Sequence, residues 1–176
     1  RPVVDADLAD VDADEALLLG GNTATLWEGR VTQFGPTPQV YRQPQDAITA
    51  RVFSDPPMNF ADVAVRAGNA TLDGRSWPVG AVPDGTYSAG FRAAHLRPDP
   101  TAGAVPLQVA VDVTEITGAE TFLHLRHGDA RWVALVPGVR RMEPGTPLTV
   151  WLDPAHVYLF DEGGRLARAA PYARAA

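Results

Sequence analysis

The sequence contains no cysteine and no lysine, and each absence excludes a class of chemistry. Without cysteine, the chain can form no disulfide, no thiol nucleophile and no Cys-ligated zinc site. Without lysine, it can hold no phosphate-binding loop, whose lysine must reach the β- and γ-phosphates, and no Schiff base. All fifteen basic residues are arginine, which is compatible with high-GC coding.

Long apolar stretches and basic patches are also missing. No run approaches the 18 or so residues of a membrane span, and residues 1–15 are acidic and lack the apolar region of a signal peptide. These residues carry a net charge of −5 out of the total of −6, so the remainder is nearly neutral and gives no basic footprint for nucleic acid. We expect a cytoplasmic protein whose acidic N-terminal run is solvated rather than a cation site.

The first 36 residues combine helix and strand signals. Residues 2–7 favour a short strand, and the pattern then predicts a helix at 13–19 that Asp12 caps and two glycines end. Alternating residues predict strands at 22–27 and 30–34, joined by a Glu28-Gly29 turn.

Two helical pieces follow, and a proline-rich turn ends them. Thr37 is predicted as an N-cap with Pro38 in the first helical position. The helical pattern resumes at 45–53, with Ile48, Val52 and Phe53 predicted to face inward. The turn Ser54-Asp55-Pro56-Pro57 is the strongest domain boundary in the sequence.

From residue 61 onward the pattern is that of short β-strands separated by glycine and proline turns. Such spacing is typical of a barrel or sandwich. In the clearest strand, alternate apolar residues are predicted to share one face: Leu107, Val109, Val111 and Val113. The predicted strands are 61–66, 70–72, 75–77, 87–92, 107–113, 121–126, 131–136, 148–152 and 157–160, with a last piece near Leu166. Residues 167–176 are predicted to fray.

Several segments, in order along the chain, resemble the ATP-binding subunits of ABC importers for maltose, glycerol 3-phosphate and related solutes, with a form similar to a glycerol-uptake subgroup. In the first third these segments are EAL at 15–17, TLWEGRVTQFG at 25–35, TPQVYRQP at 37–44 and FSDPPMNF at 53–60. In the second half they are GFRAAHL at 90–96, GAET at 118–121 and LDPAHVYLFD at 152–161. The resemblance therefore extends from about residue 15 to residue 166.

This resemblance implies a mainly β fold, an OB-like (TOBE) β-barrel preceded by a short α/β remnant of the ATPase domain. The implied organisation is a trailing segment of the nucleotide-binding domain at 1–36, a helix and linker at 37–60, the barrel at 61–168 and a flexible tail at 169–176. The nucleotide-binding motifs of the family do not occur in the sequence and would lie upstream. The family's switch histidine would fall at Val11, a departure that the sequence does not explain.

Three residues that match family segments are candidates for a subunit or regulator contact: Arg92, His95 and Glu120. A local structural role, such as an Arg–Glu bridge, is the alternative. We predict no catalytic, cofactor-binding or metal residue in this chain. His124 and His127 should point to opposite faces of a strand, which argues against a shared metal. The serines lack the spacing of a nucleophile turn, and the scattered tryptophans suit a core better than a base-stacking platform.

The resemblance implies a regulatory and dimerisation region of an importer ATPase that is not itself an enzyme. ATP and Mg²⁺ would be cofactors of the full-length protein only. The implied partners are a second ATPase subunit, membrane-spanning permease subunits and a cytoplasmic regulator, with the assembly at the inner face of the membrane. A free-standing TOBE-like sensor of small molecules or oxyanions stays open as the alternative and would need a pocket with convergent donors.

Overall fold

The computed structural model describes residues 13–174, and it begins with a small layer of helices and a hairpin. Its elements are α1 (Ala13–Leu19), β1 (Asn22–Trp27), β2 (Arg30–Pro36), α2 (Thr37–Arg42) and α3 (Ala47–Val52). β1 and β2 pair antiparallel around the Glu28-Gly29 turn, as predicted, and form a separate two-stranded sheet. The predicted strand at 2–7, the Asp12 cap and Val11 lie outside the described residues.

The starts of α2 and α3 differ from the sequence prediction. Thr37 is the first residue of α2 rather than its N-cap, and its hydroxyl lies 2.8 Å from that of Thr23 in the hairpin. The hydroxyl thus ties α2 to the hairpin instead of capping the helix. The side chain of Asp46 caps α3 by accepting a 2.7 Å hydrogen bond from the amide of Thr49.

The inward face of α3 was predicted wrongly. Ile48 and Val52 are 43% and 38% exposed, whereas Thr49 and Ala50 are fully buried. Thr49 faces the hairpin, where its hydroxyl donates to that of Thr32 at 3.0 Å, and Ala50 packs in a separate apolar cluster. Phe53, which follows the helix, is buried as predicted.

The remaining strands form two antiparallel sheets that enclose the main core. The strands are β3 (Asn59–Arg66), β4 (Asn69–Leu72), β5 (Arg75–Pro78), β6 (Gly85–Phe91), β7 (Leu96–Arg97), β8 (Val105–Ile116), β9 (Glu120–His127), β10 (Ala130–Pro137), β11 (Pro147–Leu152), β12 (Tyr158–Phe160) and β13 (Leu166–Arg168). In the six-stranded sheet the order is β13-β12-β6-β3-β4-β5, and in the five-stranded sheet it is β10-β9-β8-β11-β7. The mainly β fold with a nearly closed barrel is therefore confirmed.

Strict alternation in β8 ends at a bulge. Leu107, Val109 and Val111 face the core, but Val113 is 54% exposed. The pairing with β9 shifts between Val111 and Val113, so one extra residue reverses the inward and outward positions that follow. The prediction of one continuous apolar face is wrong for Val113 for this reason.

The predicted flexible tail is packed in the part that the structure describes. Ala170 is fully buried and Ala173 is 4% exposed, and a 3₁₀ turn spans Pro171–Arg174. Ala170 belongs to the apolar cluster that contains Tyr158 and Phe160, so this part of the chain packs against the body of the protein. Within residues 13–174, no helix is long and apolar enough to span a membrane.

Candidate functional site

Arg92 occupies the centre of a buried polar cluster where three parts of the chain meet. It follows β6 directly and is only 6% exposed. Its Nε donates to the Ser54 hydroxyl at 3.1 Å, and its Nη2 donates to the carbonyl oxygen of Tyr41 at 2.7 Å. Its Nη1 donates to the hydroxyls of Tyr158 and Tyr172, at 3.1 and 3.2 Å. We call these five residues the Arg92 cluster.

The guanidinium group of Arg92 is surrounded by neutral groups, which stabilise its charge through hydrogen bonds and ring contacts. Among residues 13–174, no carboxylate forms an ion pair with it. The guanidinium carbon instead lies 3.7 Å from the ring centre of Tyr41 and 5.4 Å from that of Tyr158, which are cation–π distances. A buried charge is costly unless its donors are satisfied, so the cluster depends on the positions of all four partners.

Tyr172 links the cluster to the C-terminal turn. Its hydroxyl lies 2.8 Å from that of Tyr158. Burial raises the pKa of Tyr172 strongly and the hydrogen bond with Tyr158 adds to this, while Arg92 acts in the opposite direction. Tyr172 therefore remains a neutral phenol that can both donate and accept a hydrogen bond within the cluster.

His95 lies beside this cluster and stacks on another histidine. The rings of His95 and His156 are 3.5 Å apart and nearly parallel, and Tyr172 lies 4.4 Å from His156. The pKa of His95 is lowered to about 4, mainly by burial and to a smaller extent by the nearby His156 and Arg92. Burial also lowers the pKa of His156, which Asp153 opposes. The stack is accordingly neutral near pH 7.

Glu120, the third predicted contact residue, lies apart from the other two. It is exposed at the start of β9, where its carbonyl oxygen accepts from the amide of Thr117. The structure thus brings Arg92 and His95 together but leaves Glu120 elsewhere. Arg92 has the local structural role that was the alternative to a partner contact, although its partners are neutral groups and not a glutamate. Arg92 is also internal, so it offers no surface of its own to a partner.

Sequence reasoning missed the four partners of Arg92. Tyr41, Ser54 and Tyr158 all lie within the segments that carried the family resemblance, and that was the one available signal. Tyr172 falls in the region predicted as a tail and gave no signal. The partners lie up to 80 residues from Arg92 along the chain, so local sequence patterns could not predict these contacts.

The other proposed chemistries find no assembled site in the described residues. His124 contacts Glu115, and His127 contacts Asp73 while stacking on Trp132 at 4.1 Å. No group of three metal-ligating side chains lies together within residues 13–174. The Ser54 hydroxyl donates to the carbonyl oxygen of Ala50 and accepts from Arg92, an arrangement unlike that of a nucleophile.

Two buried tryptophans and one surface depression also give no assembled ligand site. Trp77 and Trp132 are 2% and 1% exposed, so neither ring offers a face to an external base. A depression of about 690 Å³ lies between β5 and the start of β8, lined by Arg75, Trp77 and Asp153 among others. Arg92 does not line this depression.

A second unusual feature is the polarity of the β1–β2 hairpin. Its inner face is polar: Thr25 and Gln33 are 3% and 7% exposed, and Gln33 binds the backbone of Gln43 and Gln45 through its amide. Its outer face is apolar and open to solvent. The exposed large apolar residues of the hairpin and the adjacent α1 are Leu18, Leu19, Leu26, Trp27, Val31 and Phe34, at 44–87% exposed.

Part of the barrel matches a known domain family. The TOBE domain family matches residues 89–160, which include Arg92, His95, His156 and Tyr158. This match is consistent with the barrel described above.

The relatives over the longer range are importer subunits. The chain is 33% identical over 153 residues to the sn-glycerol-3-phosphate import ATP-binding protein of Ruegeria sp. (strain TM1040), covering 85% of this chain and 43% of that protein. It is 31% identical to the sulfoquinovosyl glycerol transport ATP-binding protein of Agrobacterium fabrum, covering 85% and 44%. It is 30% identical to the maltose/maltodextrin import ATP-binding protein of Photobacterium profundum, covering 89% and 46%.

The chain spans less than half the length of these relatives. The predicted resemblance is confirmed: residues 89–160 match the TOBE domain family, and 85–89% of the chain is similar to import and transport ATP-binding proteins.

Proposed function

We propose that this chain serves as the regulatory and dimerisation region of the ATP-binding subunit of an ABC transporter that imports a sugar, polyol or glycerol-type solute. The names of its relatives support this solute class, since they include import proteins for glycerol 3-phosphate and maltose. The region is not itself the catalyst. A chain without lysine cannot supply the lysine of a phosphate-binding loop.

The inverted polarity of the β1–β2 hairpin is the structural observation that carries the proposal. Leu26 and Val31 pair directly across the hairpin and are 44% and 59% exposed, with Phe34 nearby at 67%. An apolar strand face this open belongs to an interface or a core. The part of the parent protein that lies outside this chain would cover it, and in the relatives the uncovered share is more than half of the length. Residues 13–36 would then be the trailing edge of the ATPase domain.

The remaining assignments follow from this position. ATP and Mg²⁺ would be bound by the upstream part of the full-length subunit. A second ATPase subunit would pair with it, and permease subunits would hold the pair at the inner face of the cell membrane. A cytoplasmic regulator would contact the exposed side of the barrel, where Glu120 is accessible and Arg92 is not. The predicted regulator contact therefore rests on Glu120 and the partly exposed His95.

The upstream reading frame tests the proposal most directly. An open frame that continues N-terminally into a phosphate-binding loop is expected. A stop codon and ribosome-binding site immediately before Arg1 would contradict the proposal. For the purified chain, no ATP turnover is expected above a buffer control. Light scattering over a range of concentrations then shows whether the region dimerises without its ATPase domain.

A further inference from the structure

We infer that Arg92 is a joint that couples the helical segment 37–60 to the barrel and to the C-terminal turn. Any regulatory meaning of this coupling rests on the proposed function, but the coupling itself is a property of the chain. In the parent subunit the joint would connect the ATPase side of the region with the barrel side. It would act from the interior rather than as a docking residue.

The three side-chain nitrogens of Arg92 donate hydrogen bonds to different segments of the chain. Nη2 contacts the last turn of α2 through the carbonyl oxygen of Tyr41, and Nε contacts Ser54 just after α3. Nη1 contacts Tyr158 in β12 and Tyr172 in the C-terminal turn. One rigid, planar group thus fixes four points on segments that lie 38 to 80 residues from it along the chain.

The buried apolar side chains form three separate clusters, and Arg92 lies between two of them. The main barrel core is one cluster of buried residues. A second cluster contains Ala50, Tyr158 and Phe160, and a third contains Val40 and Phe53, with Tyr41 packed against it. Arg92 bonds to Tyr41 beside the third cluster and to Tyr158 in the second. The polar joint therefore bridges two apolar clusters that are otherwise distinct.

The charge of Arg92 depends on these contacts. Its partners are neutral oxygens and aromatic rings, and none of the ion pairs within residues 13–174 includes Arg92. A shift of α2 by an ångström or more would break the 2.7 Å bond to Tyr41 and leave a buried N–H unsatisfied. An unsatisfied buried N–H lowers the stability of the fold, so a movement of α2 relative to the barrel is unfavourable.

Amide hydrogen exchange followed by NMR tests the joint on the chain as it stands. Two probes report on the helices: the amide of Gln43, which donates to Gln39, and that of Phe53, which donates to Thr49. In Arg92→Met, which keeps an unbranched apolar stem but removes every donor, both should exchange at least about tenfold faster. The amides that pair β9 with β10 should change by less than about twofold. Arg140→Met, which removes an exposed arginine bound to Asp99, is the matched control and should alter neither set.

Arg92→Lys keeps the charge but replaces the planar guanidinium with a single ammonium group. This variant tests the coupling if Arg92→Met does not fold. It should also accelerate Gln43 and Phe53 selectively, because one ammonium group cannot reach all four acceptors. Equal acceleration of helix and strand amides would overturn the inference, since Arg92 would then only support global stability. Unchanged Gln43 and Phe53 would overturn it as well. Neither result depends on whether the parent frame encodes an ATPase.

Discussion

The side-chain amide of Asn59 pairs with both backbone groups of Val133. Its Nδ2 donates to the carbonyl oxygen at 2.8 Å, and its Oδ1 accepts from the amide at 2.7 Å. Val133 lies in β10, an edge strand of the five-stranded sheet, whereas Asn59 begins β3 in the six-stranded sheet. The amide therefore substitutes for a neighbouring strand at this position, and Trp132 adds a 2.8 Å bond to the carbonyl oxygen of Phe60.

Replacing Asn59 by alanine should destabilise the barrel. The change leaves the amide and carbonyl of Val133 without partners at a buried site, and the expected loss is about 2–4 kcal/mol of unfolding free energy. Urea denaturation followed by tryptophan fluorescence would measure it. Asn69→Ala, at an exposed asparagine bonded only to the neighbouring Ala67, is the control and should cost less than about 1 kcal/mol. Equal losses of unfolding free energy in the two variants would contradict a stabilising role of the Asn59–Val133 hydrogen bonds between the two sheets.

The His95–His156 stack should make the fold sensitive to acid. The pKa of His95 is lowered by burial to about 4, below its ordinary value of 6.5, so the unfolded chain takes up its proton first. The contribution of His95 is present above pH 6.5 and is lost as the pH falls toward 4. Because His95 is only partly buried, we expect a loss on the order of 2 kcal/mol rather than the full value of the shift.

The pH prediction is checked by comparing stability at pH 7 and pH 4.5 in three proteins. His95→Gln should lose less stability on acidification than the wild type, because glutamine takes up no proton. His124→Gln, at a histidine on the outer face of the five-stranded sheet, should follow the wild type. If His95→Gln and the wild type lose stability in parallel, other groups control the acid sensitivity.

The outer hairpin face should tolerate polar residues in this chain but not in the full-length protein. Val31 is 59% exposed, so Val31→Thr should change the unfolding free energy of this chain by less than about 0.5 kcal/mol. Val63→Thr, at a barrel position only 2% exposed, is the matched control and should cost about 1–3 kcal/mol, because it buries a hydroxyl. In a longer protein that includes the upstream part, Val31→Thr should become costly too. Persistent tolerance there would argue against the proposed covering of this face.

Gly90 should be intolerant of any side chain. A Cβ at this position would lie 2.8 Å from Sδ of Met58 and 2.9 Å from a ring carbon of Phe160. Gly90→Ala should therefore destabilise the chain by about 1–3 kcal/mol through overpacking, as thermal unfolding would show. Gly85→Ala, in the same strand with only an ordinary 3.6 Å contact, should be nearly neutral. Similar melting temperatures for the two variants would contradict the close packing around Gly90.

Local patterns in the sequence were sufficient for most strand positions and turns. Alternation and two-residue turns such as Asp73-Gly74 depend on neighbouring residues only, and the structure has the predicted hairpin there. Errors arose where a distant contact competed with a local preference. Thr37 bonds to Thr23 instead of capping its helix, and a bulge opposite β9 turns Val113 outward.

The sequence by itself determined the absence of lysine and cysteine chemistry, the mainly β pattern and the resemblance to importer ATP-binding subunits, because these depend on residue type and order. Only the tertiary structure decided what Arg92 does. Its position in a family segment suggested a surface contact, yet its four partners converge from Tyr41, Ser54, Tyr158 and Tyr172 and bury it. A guanidinium is equally suited to solvent and to a buried cluster, so its role depends on which oxygens the fold brings within 3 Å or so of it.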